Sequence, residues 1–302
     1  MPGFCGAWWR LRKSLPAPGR FFNAEPDGRP PAFLLGFRTV RPVLFYLGTF
    51  PVRAFGVLVA LGFVFGMWTA ARRAVRVSIN PEKILDLGPW VLGAGLLGAR
   101  AMYVLNYWER DFSGRPWIEA FQIWNGGLVF YGGLLLAIPV AIWRVKAMGL
   151  PVWTVADCLA PSIALGHVFG RIGCFFNGCC FGQPTLQPWG VRFPSSSGVP
   201  GDGPVHPTQL YEAALNLVLF AVLSGWFYRR RFDGQIFAGY LLGYAVIRSL
   251  TEYFRGDYSH VSAPTLGVFT PGQWISFPIL LCGVILYFCR RPARATSQTL
   301  AA

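Results

Sequence analysis

The stretch GHVFGRIGCFFNGCC, from Gly166 to Cys180, sets one arginine inside an apolar run and follows it with three cysteines. Arg171 is a permanent cation there, because a guanidinium does not deprotonate in proteins. Its planar fork of donors matches the oxygens of a carboxylate or a phosphate two at a time. Gly170 and Gly173 flank it, where backbone can approach a ligand or a neighbouring helix closely. Snorkelling to the membrane interface is the plainer role for such a residue. A second group of charges lies downstream. Arg248, Glu252 and Arg255 are spaced i, i+4, i+7 and share one helix face as cation, anion, cation. A salt bridge between helices and an anion site explain that ladder equally well. One carboxylate does not neutralise two arginines, and a surplus guanidinium suits an anion, above all a phosphate.

Three further clusters carry chemistry. In WNGGLVFYGG (residues 124–133) paired glycines mark close helix packing or close approach of a lipid, and Tyr131 sets a phenol between them. In HPTQLYE (residues 206–212) His206 and Pro207 turn the chain and Thr208 begins a helix with Tyr211 and Glu212 at its mouth. An ordinary interfacial histidine remains the alternative for His206. His167, one turn before Arg171, reads as hydrogen-bonded glue and not as a base. The cysteine spacing C-x4-C-C is not a zinc pattern, and the nearby His167 lies upstream, so no metal site is expected. Two readings of these cysteines stay open. Cys174 pairs with Cys179 or Cys180 if the chain turns at Asn177–Gly178, or all three pack as small apolar thiols. Cys158, Cys282 and Cys289 read as apolar residues of helices.

The elements that must position these residues follow from composition. Of 302 residues 54% are hydrophobic and only 13% charged, about half the charged fraction of a soluble domain. The net charge of +14 does not form a basic stripe, which argues against nucleic acid and for a membrane protein with cationic loops. Seven apolar runs stand out: 54–71, 87–108, 126–143, 158–178, 213–228, 236–247 and 274–289. A span needs about 20 mostly apolar residues, so several runs need their flanking Gly, Trp and Tyr. An ionisable residue inside a span costs about 2.5–3.5 kcal/mol and faces a cavity or a partner. Arg100, Asp157, Arg171, Glu212, Arg248, Glu252 and Arg255 fall in that class. One set of loops holds 12 Lys and Arg (Arg72, Arg73, Arg76, Lys83, Arg144, Lys146, Arg229–Arg231, Arg290, Arg291 and Arg294) and the other set holds 3 (Arg110, Arg115 and Arg192). The first set is expected to be cytoplasmic. The expectation is an all-α integral membrane protein with seven transmembrane helices, its N-terminus outside and its C-terminus in the cytoplasm. Residues 1–40 are rich in Pro, Gly and Arg, break the charge rule and have no apolar segment of a secretory signal. They read as a gene-start artefact or a disordered extension whose removal leaves insertion and activity unchanged. Residues 41–292 read as one membrane domain and 293–302 as a cytoplasmic tail.

Taken together, GHVFGRIGCFFNGCCFGQPT, WNGGLVFYGGLL, HPTQLYEAAL, LLGARAMYVL and YAVIRSLTEYFRGD resemble the bacterial prolipoprotein diacylglyceryl transferases in order and spacing, over roughly residues 42–290. The resemblance implies a seven-helix inner-membrane enzyme whose site opens toward the outer face. Its reaction moves the diacylglyceryl group of phosphatidylglycerol onto the thiol of a lipobox cysteine in an exported prolipoprotein, and glycerol phosphate leaves. The partners implied are phosphatidylglycerol, prolipoprotein signal peptides and the membrane, with no cofactor, no metal and no nucleic acid. Arg171 matches the signature arginine, Asn177 the signature asparagine, and Arg248, Glu252 and Arg255 the charges of the sixth helix. His206–Glu212 matches the HPSQLYE element. Three positions depart from the pattern. Tyr131 stands where many members have a histidine proposed as the base, Cys174 where the signature has Asn, and Cys179 where it has Glu.

The chemistry needs a thiolate nucleophile and cations that take up charge growing on the departing phosphate. With a thiol pKa of about 8.5, a few per cent is thiolate at neutral pH, and a neighbouring arginine raises that fraction. A histidine base is therefore helpful but not required, and a phenol of pKa about 10 is a poor resting base. Arg171, Arg248, Tyr131 and Glu252 are nominated for catalysis. Arg171, Asn177, Gly173, Gly132, Arg255, His206, Glu212 and Arg100 are nominated for holding substrate. Cys174, Cys179 and Cys180 are expected to be dispensable for transfer. Two rival functions remain at this level: a membrane thiol–disulfide enzyme using those cysteines, and a lipid-binding relative that lost transfer with the histidine.

Overall fold

The computed structural model describes residues 42–48, 50–123, 126–194, 203–256 and 270–291. The readings for residues 1–40, the Pro/Gly/Ser-rich loop at 195–202 and the tail beyond 291 lie outside these. A short antiparallel hairpin, β1 (Val43–Leu47) and β2 (Phe50–Arg53), leads into the first helix. No strand was expected there.

Eight α-helices follow among the described residues: α1 (Ala54–Val75), α2 (Pro81–Leu85), α3 (Leu87–Tyr107), α4 (Phe130–Ala147), α5 (Val152–Asn177), α6 (Thr208–Phe227), α7 (Gln235–Glu252) and α8 (Pro271–Arg290). All but α2 correspond to the seven apolar runs. Of these, α1, α4, α5, α6 and α8 are long and apolar enough to cross a membrane. Helices α3 and α7 have 21 and 18 residues, roughly 27–32 Å at 1.5 Å per residue. Their glycines, tyrosines and charges dilute the hydropathy. Large apolar side chains such as Leu105, Leu135, Val64 and Phe288 point outward, as expected of helices solvated by lipid.

Local signals set the ends. Asn80 caps α2 by accepting the Glu82 N–H at 2.9 Å, with Pro81 at the first helical position. Thr270 and Gln273 form a reciprocal capping box ahead of α8. Gly178, at φ 70°, stops α5 in the left-handed conformation. Helix α1 packs on α5, α3 on α4, α5 on α6, and α7 on α8. The second glycine pair serves one of these seams, while Gly126 and Gly127 take positive φ of 83° and 75° in the loop before α4. A Cβ at Gly133 would lie 2.8 Å from the Gly95 carbonyl, and one at Gly132 would overlap Gly98 and Met102. At Gly132–Gly133, close helix packing is thus the role the fold uses.

The apolar core sits at the end of the bundle that carries the basic loops. There Ala70, Ala74, Ile84, Leu87, Val155, Leu223 and Ile236 meet. The charge reading needs correction at this end, where Lys83 lies in α2, Arg144 and Lys146 in the last turn of α4 and Arg290 at the end of α8. Arg72 and Arg73 belong to α1, not to a loop. Arg73 is buried, donating to Ser162 Oγ and Ser224 Oγ, both at 2.9 Å, and to the Cys158 carbonyl at 3.4 Å. Asp157 is buried next to it and accepts the backbone N–H groups of Gly234, Ile236 and Phe237 at 2.9–3.0 Å. It acts as the missing N-cap of α7 from a different helix.

Candidate active site

The far end of α5 carries the other polar cluster. Arg171 lies in the last two turns of α5, Glu212 in the second turn of α6, and Arg248 and Glu252 at the end of α7. Arg171 Nη2 is 2.9 Å from Glu212 Oε1. The second oxygen of Glu212 lies 3.9 Å from Arg248 Nη1. Arg248 Nη2 is 3.1 Å from Glu252 Oε2, and that oxygen is 4.0 Å from Arg255 Nε. Five charges from three helices and the turn after α7 thus alternate as Arg171, Glu212, Arg248, Glu252, Arg255. Three guanidiniums face two carboxylates, so the chain carries one net positive charge. Side-chain exposure falls from 20% at Arg171 through 13% at Arg248 to 4% at Arg255. The cluster is most open at Arg171.

The helical ladder was legible from spacing, but the role of Glu212 was not. It comes from another helix, and periodicity reports only neighbours on the same helix. The expectation that Glu252 alone lies within reach of the arginines is corrected, because Glu212 bridges two of them. A second partner also escaped the sequence. The Glu252 carboxylate abuts the first turn of α8, where a Cβ at Gly272 would lie 2.6 Å from it. Only glycine lets the acid reach that helix N-terminus, whose partial positive charge favours it.

Tyr131 sits in the first turn of α4, 48% exposed. It is an electrostatic neighbour of Tyr244, which also senses Arg248, Glu212 and Arg171. His167 packs its ring 5.1 Å from that of Tyr244, with Arg171 and Asn216 as neighbours. Tyr244 thus neighbours both Tyr131 and the arginine chain, and His167 packs against Tyr244.

The remaining nominees serve the protein's own contacts. Arg100 spends its guanidinium on four backbone carbonyls, Glu119, Ala120, Gly126 and Gly127, at 2.6–3.1 Å. It clamps the loop between α3 and α4. Beside it Tyr103 donates to Asp111 at 2.6 Å, and the Arg110 guanidinium draws the Asp111 carboxyl down to about 2. Gly173 lets α5 approach α1, since a Cβ there would meet the Phe55 ring at 3.1 Å. His206 Nδ1 is 3.1 Å from the Tyr211 hydroxyl, which also accepts from Trp189 Nε1 at 2.8 Å. The His206 ring lies 5.5 Å from that of Phe254, and partial burial holds its imidazole below the usual range.

Asn177 ends α5 and donates to Cys179 Sγ at 3.6 Å. The chain does turn at Asn177–Gly178, and Cys174, Cys179 and Cys180 come together as thiols with their sulfurs within 4.8 Å of one another. Spacing had argued against a metal-type cluster, because three helical or near-helical cysteines point apart unless the chain reverses. Gly178 and the left-handed Cys180 (φ 63°) supply that reversal. The loop that follows is held on both sides. Gly182 N–H donates to the His206 carbonyl at 2.9 Å, and Gln183 N–H to the Phe254 carbonyl at 2.8 Å. The end of α5 is thereby tied to the start of α6 and the end of α7, the three places that supply the charges.

Residues 42–289 match the family model described as prolipoprotein diacylglyceryl transferase. The chain is 34% identical over 264 residues to a phosphatidylglycerol–prolipoprotein diacylglyceryl transferase of Legionella pneumophila (strain Philadelphia 1), covering 85% of this chain and 100% of the relative. A protein of the same name from Bordetella bronchiseptica is 36% identical over 265 residues, covering 86% and 99%. Another, from Vibrio vulnificus (strain YJ016), is 38% identical over 259 residues, covering 83% and 92%. With its apolar helices and an arginine–carboxylate chain on residues of the shared region, the protein belongs to the prolipoprotein diacylglyceryl transferase family.

Proposed function

We propose that the protein transfers the diacylglyceryl group of phosphatidylglycerol to the lipobox cysteine of exported prolipoproteins, with Arg171 and Arg248 carrying the charge of the departing phosphate. The sulfur of the acceptor attacks the glycerol carbon that bears the phosphate. A C–S bond forms, the C–O bond breaks, and glycerol phosphate leaves with the electron pair. The thiol proton must be lost as the thioether forms. All seven long helices span the inner membrane in this reading, with the N-terminus outside, the C-terminus inside and the arginine chain toward the outer face.

The observation that carries the reading is the net positive charge of the Arg171–Glu212–Arg248–Glu252–Arg255 chain together with its opening at Arg171. Glu212 holds two guanidiniums without cancelling the cluster. The forks of Arg171 and Arg248 are then pre-aligned for an oxyanion whose charge grows in the transition state, the arrangement that gains most from fixed donors. Glu252 and Arg255 hold Arg248 from behind. Tyr131 borders the acceptor side, where it contacts the phosphate or relays the thiol proton. Asn177 is the last residue of the helix that delivers Arg171, and its side chain donates to Cys179. Arg100, Gly132 and Gly173 act by positioning the helices.

The test is complementation of a bacterial strain depleted of its own diacylglyceryl transferase. Rescue by the intact protein and by the Cys174/Cys179/Cys180→Ser variant is expected. Failure of the intact, membrane-inserted protein would favour a lipid-binding relative without transfer. Rescue that requires the cysteines would favour thiol–disulfide chemistry.

A further inference from the structure

The three thiols at the end of α5 are not needed by the transfer reaction, yet the fold goes to some length to gather them. Gly178 reverses the chain, and Cys180 adopts a positive φ of 63°, a conformation that is uncommon and costly for a side-chain-bearing residue outside Asn and Asp. The Thr208 hydroxyl donates to the Cys180 carbonyl at 2.8 Å and Gln209 Nε2 to the Cys179 carbonyl at 2.7 Å. Gln209 is almost wholly buried, so these bonds fix the loop against α6. The Cys174 thiol is hydrogen-bonded to both Cys179 and Cys180. Asn177 Nδ2 aims an N–H at Cys179 Sγ at 3.6 Å, the kind of outer contact that orients a thiolate ligand. Arg171 is an electrostatic neighbour of Cys174 and Cys180.

We propose that Cys174, Cys179 and Cys180 form a three-thiolate site for a thiophilic d10 metal ion, Cu(I) or Zn(II), that pins the C-terminal turn of α5. The geometry suits this. Metal–sulfur bonds of about 2.3 Å put three ligating sulfurs about 3.8–4.0 Å apart, a small closure from separations within 4.8 Å. Thiolate sets select Cu(I) and Zn(II) over harder ions. Among the described residues the cluster offers these three donors and no His, Asp or Glu joins it. Three sulfurs complete a trigonal Cu(I) site, whereas tetrahedral Zn(II) takes a water as its fourth ligand. Binding displaces the thiol protons to solvent, so occupancy rises with pH. No electron is transferred, and the site is independent of the transfer reaction.

The test uses the full-length protein, reduced anaerobically in detergent or nanodiscs and titrated separately with Cu(I) and with Zn(II) against a chromophoric chelator. One equivalent of one of these ions per chain is expected, with a thiolate-to-metal charge-transfer band for Cu(I). Each Cys→Ser change should weaken binding at least tenfold, and metal should raise the unfolding temperature of the wild type but not of the triple Ser variant. Diacylglyceryl transfer by that variant shows that it is folded. If it does not fold, the single Cys179→Ser variant gives the same reading. Binding of neither ion beyond the level of the Ser variants would overturn the proposal. So would isolation of the native protein with Cys174 and a neighbour joined in a disulfide.

Discussion

The two ends of α5 bury charge in opposite ways. At one end Arg73 and Asp157 are each satisfied by neutral groups: serine hydroxyls and a carbonyl for the arginine, three backbone N–H groups for the aspartate. Arg230 lies 3.9 Å from Asp157, and the cluster is closed by the apolar core. At the other end Arg171 sits in a chain where charge faces charge, cations outnumber anions and one member stays partly open. Neutral partners fix a charge in place and leave nothing for a ligand to supply. A surplus of one sign beside an opening leaves a place for an anion. The first arrangement holds helices together, and the second suits a reaction in which a phosphate departs.

The largest effect separating the two ends should come from Arg171→Ala and Arg248→Ala. Each is expected to lower the initial rate of diacylglyceryl transfer about 10²–10³-fold, the range for a lost donor at a developing oxyanion, with the unfolding temperature little changed. A comparable loss of rate from a folded Arg73→Met variant would erase the distinction between the ends.

Glu212→Gln sharpens the comparison from inside the open cluster. The change raises the local charge from +1 to +2, which favours phosphate, yet it releases the bond that aligns Arg171 and Arg248. A fall in kcat of at least tenfold with no rise in KM for phosphatidylglycerol is expected. Glu252→Gln should cost less, because it touches Arg171 only through Arg248. A Glu252→Gln enzyme slower than either arginine variant would move proton transfer onto Glu252.

At the closed end the expected losses are in stability. Asp157→Asn leaves buried N–H groups of α7 poorly paired and should cost about 1.5–3 kcal/mol, the scale of a hydrogen bond to a charged group. It would be read as a lower unfolding midpoint with near-normal rate per folded molecule. Arg73→Met removes a buried charge, leaving Ser162 its bond to Thr69 at 2.8 Å while Ser224 loses its Arg73 donor. It is expected to change stability by about 1 kcal/mol or less, the net worth of a neutral hydrogen bond, because a methionine of similar length fills the site and the hydroxyls keep or find other partners.

Much of this contrast was legible in the sequence, and the gaps have physical causes. Apolar runs located the seven long helices because length and hydropathy are local. The spacing of Arg248, Glu252 and Arg255 gave three of the five members of the charge chain for the same reason. Arg73 was misread as a loop residue because a run of apolar residues appears to stop at the first charge. The helix continues because Ser162 and Ser224, on α5 and α6, receive that charge. Glu212 as a bridge, Gly272 beneath Glu252 and the meeting of the three thiols all depend on contacts between segments distant in sequence. The hairpin at residues 43–53 escaped because its strands have five and four residues, too few for a period-2 pattern to stand out.

The central claim is that Arg171 and Arg248 act through their forked donors on the phosphate and not merely as positive charges. The most direct measurement is the initial rate of diacylglyceryl transfer to a lipobox peptide by Arg171→Lys and Arg248→Lys, in nanodiscs of phosphatidylglycerol, with folding checked by unfolding temperature. Lysine keeps the charge but presents it as a point, without two parallel N–H groups. Rates below about one-tenth of wild type for both folded variants, a barrier increase above ~1.4 kcal/mol, are predicted. Near-normal rates for either lysine variant would contradict the account.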